Sequence, residues 1–350
     1  MDKKKLKVKG SIFNRISDTN LLLCITIVIF LLMYISAVVF LGGGFKKPQM
    51  FFNILNNEAP LIITACGMSI VMISGGIDIS IGGVVALVSM SCAVYLDKTP
   101  GGGNLWVSLL IALAIGLLFG IVQGYLVSYC EIQPFIVTLA GMFFARGMTT
   151  IVNTDPFNVE NSAFRKLKDT RITIPKMGSY TKKGLYQVAY IEIGVVVALV
   201  IVVVLFLVLR YTKLGRSFYA VGGNPQSALM LGINVKRTKF LSHVICGLLA
   251  GIGGYVYFLH VGSGAPSHAT GMEMNAIASS IIGGTMLTGG VGNIIGTLFG
   301  VLSLSSIQNI VSSAGLGQAW WTGITIGAML CLFLLIQSIV MWAKKRSLKA

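Results

Sequence analysis

Between Ala59 and Leu96 the chain carries a single charged side chain, Asp78, set in the glycine-rich stretch Ile73-Ser-Gly-Gly-Ile-Asp-Ile-Ser-Ile-Gly-Gly83. A bilayer crossing takes about 20 apolar residues, so this run is either two crossings meeting at the glycines or one crossing broken there. Non-helical backbone at that depth persists only where protein or a water-filled cavity satisfies its polar groups, and an acid inside such a segment marks a functional site by default. Gly75, Gly76, Asp78 and Ser80 are therefore the first candidates for a solute path.

With 55% hydrophobic and only 11% charged residues, the fold class is an all-α polytopic membrane protein rather than a soluble core. Ten charge-poor segments predict about ten transmembrane helices, some broken or re-entrant: 21–41, 59–73, 79–96, 105–130, 134–154, 191–209, 240–260, 274–288, 293–312 and 322–342. The net charge of +16 lies mostly in tails and loops, which indicates membrane topology and no nucleic-acid partner. The basic N-terminal tail, 1–20, and the C-terminal tail, 344–350, both favour the cytoplasm, with 21–343 as the transmembrane domain. Residues 210–239 then form a cytoplasmic loop and 155–190 an extracytoplasmic one, although seven basic residues in 155–190 run against that rule. The 21-residue apolar run Leu21–Leu41 is too long for a cleaved signal and is expected to stay as an anchor span.

A second glycine-rich stretch, Ile282-Gly-Gly-Thr-Met-Leu-Thr-Gly-Gly-Val-Gly292, echoes the first. Corresponding breaks in two halves point to a path in transporters built from repeats, which adds Gly283, Gly284 and Thr285; chance recurrence of glycine is the other reading. Gly116/Gly120/Gly124, Gly247/Gly251 and Gly292/Gly296/Gly300 recur every four residues and predict close helix contacts. The six cysteines sit within or at the ends of apolar segments without a C-x-x-C pair, and read as packing residues.

Enzyme signatures are absent: there is no P-loop, no H-E-x-x-H and no G-x-S-x-G elbow. Asp78 has two compatible roles, as cap of a helix starting near Ile79 or as a hydrogen-bond partner of a polyhydroxylated solute. Glu58, Glu131 and Glu273 each end an apolar run and are expected to anchor at the interface. In 210–239, Asn224-Pro225 opens a short helix, Gln226–Leu231, closed by Gly232. Such a helix with basic flanks suits a docking element for a soluble partner; a solvated loop is the plain alternative.

Four blocks carry a family resemblance. They are Ile70-Val-Met-Ile-Ser-Gly-Gly-Ile-Asp-Ile-Ser-Ile-Gly-Gly83, Ile132-Gln-Pro-Phe-Ile-Val-Thr-Leu-Ala-Gly-Met-Phe-Phe-Ala-Arg-Gly147, the pair Thr212-Lys-Leu-Gly-Arg216 and Tyr219-Ala-Val-Gly-Gly-Asn-Pro225, and Ala276-Ile-Ala-Ser-Ser-Ile-Ile-Gly-Gly-Thr285 followed by Gly289-Gly-Val-Gly292. In this order, over about Leu21 to Trp342, they resemble the membrane permeases of bacterial monosaccharide ABC importers, the ribose, galactose and galactofuranose group. Leu139-Ala-Gly-Met-Phe-Phe and Gln318-Ala-Trp-Trp-Thr look closest to a galactofuranose permease.

The resemblance implies a permease subunit, not an enzyme, in the bacterial cytoplasmic membrane, pairing with an identical or related second permease subunit. A cytoplasmic ABC ATPase subunit would dock on Gly215, Arg216, Asn224, Pro225, Leu231 and Gly232, and an extracytoplasmic sugar-binding protein would deliver the monosaccharide. No cofactor would belong to this chain, since ATP and Mg are bound by the ATPase. Gln123, where relatives often have Asn, joins the substrate pathway. Two further readings are an ion-coupled secondary transporter of a small solute, with Asp78 carrying the ion, and an intramembrane enzyme, for which no paired catalytic residues are visible.

Overall fold

The computed structural model describes residues 18–42, 44–99, 102–180, 186–316 and 318–349. The basic tail up to residue 17 lies outside them. The helices are α1 (Asp18–Phe40), α2 (Pro48–Ile73), α3 (Ile81–Lys98), α4 (Leu105–Ser128), α5 (Pro134–Val152), α6 (Ser162–Lys168), α7 (Ile193–Tyr211), α8 (Lys213–Gly223), α9 (Pro225–Met230), α10 (Val235–Val261), α11 (Met272–Ile282), α12 (Ile294–Ser313) and α13 (Ala319–Lys349). Strands β1 (Phe157–Asn158) and β4 (Ser263–Gly264) pair antiparallel, as do β2 (Arg171–Tyr180) and β3 (Tyr186–Glu192).

All ten expected segments appear as helices, and eight helices among the described residues are long and apolar enough to cross a membrane. Two fall short. The described apolar part of α13 is Gly323–Ile339, and the expected segment 274–288 is the half-span α11, which stops at Ile282. At 1.5 Å per residue α11 is about 17 Å long, roughly half of a bilayer core.

Helix α2 is the central post. It opens with Pro48 at a first-turn position that needs no N–H donor, and every residue from Ala59 to Ile73 is buried. Because α2 begins well before residue 59, Glu58 lies inside the helix instead of at its end. The glycine rows act as expected of them. A Cβ on Gly116 would lie 2.3 Å from the Gly247 carbonyl, and one on Gly300 would lie 2.0 Å from the Ser279 carbonyl, so α4 meets α10, and α12 meets α11, at backbone distance.

The segment 155–190 is folded onto one end of the bundle. Val159 N–H donates to the Gly262 carbonyl, Phe164 stacks on Phe258 at 4.4 Å, and Lys168 donates to the Val261 carbonyl at 3.2 Å. These partners cluster at the C-terminal end of α10, whereas α9 leads into its N-terminal end. The two loops thus sit about 40 Å apart, at opposite ends of a 27-residue helix. That separation explains why the basic residues of 155–190 do not bring the loop to the side of 210–239.

Candidate functional site

The two glycine breaks are built alike. After α2, Gly75 N–H donates to Met72 O and Gly76 N–H to Val71 O; after α11, Gly284 N–H donates to Ile281 O and Thr285 N–H to Ser280 O. Each is a Schellman stop, with the left-handed position taken by Gly75 at φ 84° and Gly284 at φ 89°. The outgoing helices start differently. Asn293 caps α12, its Oδ1 accepting from Ile295 N–H at 2.9 Å, whereas α3 starts at Ile81 with Ser80 at the cap position, and Asp78, two residues earlier, accepts from Ser80 N–H at 3.0 Å in a turn ahead of the helix. The echo in the sequence is therefore a structural repeat of the stop and not of the start, and the expected capping of a helix near Ile79 by Asp78 gives way to this turn.

The breaks also touch. Gly290 N–H donates to Ile73 O at 2.9 Å, which ties the second break to the last residue of α2. Into this contact fits the C-terminal end of α8: a Cβ on Gly222 would lie 1.7 Å from Ile73 O and 2.6 Å from Gly290 N. Tyr219, one turn earlier on α8, donates to Gly292 O at 2.9 Å. Three segments far apart in sequence thus meet through main chain, and glycine is the residue that permits it.

Asp78, Ser80 and Gln123 form one buried network. Ser80 Oγ lies 2.6 Å from Asp78 Oδ1 and 3.1 Å from Gln123 Oε1, and the Cys246 thiol sits beside the carboxylate. Gln123 packs on bare Gly141, its Nε2 buried and without a partner, as is Nε2 of His243 on α10. Gly76 lies against that imidazole, whose Cε1 would be 3.5 Å from a Cβ there. The remaining expected path residues are separate: Gly283 packs on Gly296, and Gly284 on Leu22 of α1. Thr285 lines a cavity of about 360 Å³ with Gln337 and Ser338.

The segment 210–239 holds one helix more than expected. Thr212 caps α8 by accepting from Gly215 N–H at 3.1 Å, and Asn224 caps α9 by accepting from Ser227 N–H at 2.9 Å. Gly232, at φ 79°, closes α9 as expected. Asn224, Pro225, Leu231, Gly232 and Arg216 are exposed, while Gly215 is buried against Leu209 and so packs α8 onto α7. Leu229, Met230 and Leu231 are 64%, 88% and 79% exposed, an apolar tip that water disfavours. Beside it runs a groove of about 810 Å³ between α9 and the α4–α5 turn. There Lys236 donates to Glu131 at 2.8 Å, which holds the Glu131 carboxyl below its ordinary range through that hydrogen bond and the lysine charge.

One charged pair escaped the sequence reading. Arg146 on α5 donates to the carbonyls of His268 and Ala269 and stands 4.0 Å from Glu273 at the start of α11. Its signal was available: Arg146 is the single charge in the segment 134–154, and Glu273 is buried rather than interfacial.

Comparison with known proteins places this architecture. A family model described as "Branched-chain amino acid transport system / permease component" matches residues 50–334. The inner membrane ABC transporter permease protein YjfF of Escherichia coli K12 is 35% identical, covering 94% of this chain and 96% of that protein. The fructose import permease protein FruG of Bifidobacterium longum is 34% identical over 90% of each chain, and the ribose import permease protein RbsC of E. coli K12 is 33% identical over 82% of this chain and 85% of its own. No solved structure matches the chain. The repeated glycine breaks, the eight apolar helices and these matches together make the chain a multi-pass membrane protein that belongs to the ABC-transporter permease family.

Proposed function

We propose that this chain is the permease subunit of an ABC importer and passes a monosaccharide across the cytoplasmic membrane. ATP and Mg²⁺ belong to a separate ATPase subunit that seats on α9 and its groove. A binding protein delivers sugar at the opposite end, where 155–190 is folded, and a second permease subunit completes the pathway. The tails 1–20 and 344–350 lie on the ATPase side. The observation that carries the reading is the main-chain junction of Ile73, Gly222 and Gly290, which connects the docking segment to both breaks. The network of Asp78, Ser80 and Gln123 suits a neutral solute, because the Asp78 carboxylate is already engaged by Ser80 N–H and Oγ.

Reconstitution with its ATPase subunit and binding protein tests the proposal, with ribose, fructose, galactose and galactofuranose as the panel. ATP-dependent uptake of at least one sugar is the expected result. Uptake driven by an ion gradient through the isolated chain would overturn it.

A further inference from the structure

A cavity of about 260 Å³ opens at the end of the bundle that carries 210–239, between Thr19 of α1, Phe206, Leu209 and Arg210 of α7, Tyr219 of α8, and Asn293 at the start of α12. Two helices fix its depth. α1 begins at Asp18 and runs for 23 residues, about 35 Å, and α7 ends at Tyr211 after 19 residues, about 28 Å. Each is matched to the roughly 30 Å of bilayer hydrocarbon. Thr19 and Arg210 lie in the terminal turns of these helices, and so at the boundary between acyl chains and headgroups.

The wall is divided by chemistry. Phe206 and Leu209 give it an apolar side, Thr19 adds a hydroxyl, and Asn293 spends its Oδ1 on the cap of α12, which leaves its amide nitrogen as a donor. Tyr219 closes the inner end, its hydroxyl donating to Gly292 O at 2.9 Å. Arg210 is the one cation in the lining. Its guanidinium stands 5.8 Å from the ring centres of Phe206 and of Tyr211, and among the described residues no carboxylate pairs with it. An exposed arginine held against rings keeps its hydrogen-bonding fork for a ligand.

That fork matches a phosphate group, which it grips through two parallel hydrogen bonds. The chain leading into α1 adds to the attraction: residues 1–20 carry six lysines and arginines against two aspartates. Being cationic, this tail draws the anions of a membrane surface and cannot neutralise Arg210. Basic pockets between helices at such a surface take phospholipid headgroups. A free phosphate ion shares the headgroup chemistry but would leave the wall of Phe206 and Leu209 unused. No acid lines the cavity to meet choline or ethanolamine, so a headgroup of net negative charge fits best. We infer that this cavity binds the phosphate headgroup of an anionic phospholipid, with Arg210 as its cation and Phe206 and Leu209 bordering the acyl chains. A lipid seated there braces α1, α7 and α12 beside the second glycine break, which Tyr219 reaches from the same cavity. The site stands whatever solute the chain carries.

The test uses the full chain with its companion subunits, purified in mild detergent and titrated with phosphatidylglycerol or phosphatidylcholine, bound lipid being counted by native mass spectrometry. The parent is expected to bind phosphatidylglycerol the more tightly. Arg210→Gln should weaken that binding about fivefold, the contribution of one basic residue at a charged surface. Arg237→Gln removes an exposed cation at the same end but outside the cavity, and should bind as the parent does. Thr19→Phe fills the cavity and keeps every charge, so it too should lose phosphatidylglycerol while eluting as the parent does on size exclusion. Equal affinity of the parent for the two lipids, an unchanged Arg210→Gln, or a loss as large in Arg237→Gln would overturn the site. Displacement of phosphatidylglycerol by inorganic phosphate at equal concentration would assign the cavity to a free anion and overturn the lipid.

Discussion

Gly222→Ala puts the junction to its hardest test. Its new Cβ would start 1.7 Å from Ile73 O and 2.8 Å from Ile73 C, where ordinary contacts begin at 3.4 Å. The obstructing atoms are main chain, so no rotamer relieves them, and the separation of the new Cβ from Ile73 O must roughly double by displacement of α8 from the end of α2. Overpacking of this kind costs about 1–3 kcal/mol. Displacing Ile73 O also strains its bond from Gly290 N–H, worth about 1 kcal/mol, for a total of roughly 2–4 kcal/mol. The neighbouring Gly223 is the control, because a Cβ there meets nothing within 4 Å. Thermal unfolding of the detergent-solubilised protein should therefore place Gly222→Ala several degrees below Gly223→Ala. In the reconstituted importer the first variant should still support ATP hydrolysis while losing uptake. Equal midpoints and equal uptake in the two variants would refute the close main-chain contact on which the argument stands.

Asp78→Asn keeps an oxygen for both bonds from Ser80 and should transport as the parent does, whereas Asp78→Ala leaves Ser80 N–H buried and unpaired and should cost about 1–3 kcal/mol; a failing Asn variant with a normal Ala variant would contradict this role in holding the turn before α3. Arg146→Met leaves Glu273 without its countercharge and two carbonyls without donors, so folded yield by size-exclusion chromatography should fall sharply, in line with about 3 kcal/mol. Met230→Ser with Leu231→Ser should release the ATPase subunit on affinity purification while leaving the permease itself folded, since both side chains are exposed. The exposed Glu131–Lys236 pair contributes only above the ordinary carboxyl pKa of about 4.3 and is lost as pH falls through the lower folded value; unfolding scans from about pH 6 to 8 should show no slope from this pair.

Much of this was legible because membranes force simple patterns. Long apolar runs located the crossings, and paired glycines located both breaks, whose left-handed positions the structure gives to Gly75 and Gly284. The short helix closed by Gly232 followed from Asn224-Pro225 and the glycine alone. What escaped was tertiary. Nothing in the spacing of Gly222 announces that it meets Ile73 and Gly290, because a contact between three remote main-chain segments leaves no periodic trace. Glu58 and Glu273 were expected at the ends of apolar runs for a related reason: hydropathy ends a segment at a charge, whereas α2 runs through Glu58 from Pro48 and Glu273 is buried in the first turn of α11.

The Ile73–Gly290 bond joins amide to carbonyl and is therefore blind to side-chain identity. A mutation can change the buried Asp78 network without loosening this knot. Only residues that add bulk at the knot are forbidden. Under the proposed function, solute preference and mechanical drive become separable traits of one chain, so that a lineage could drift from one sugar to another while keeping the same engine.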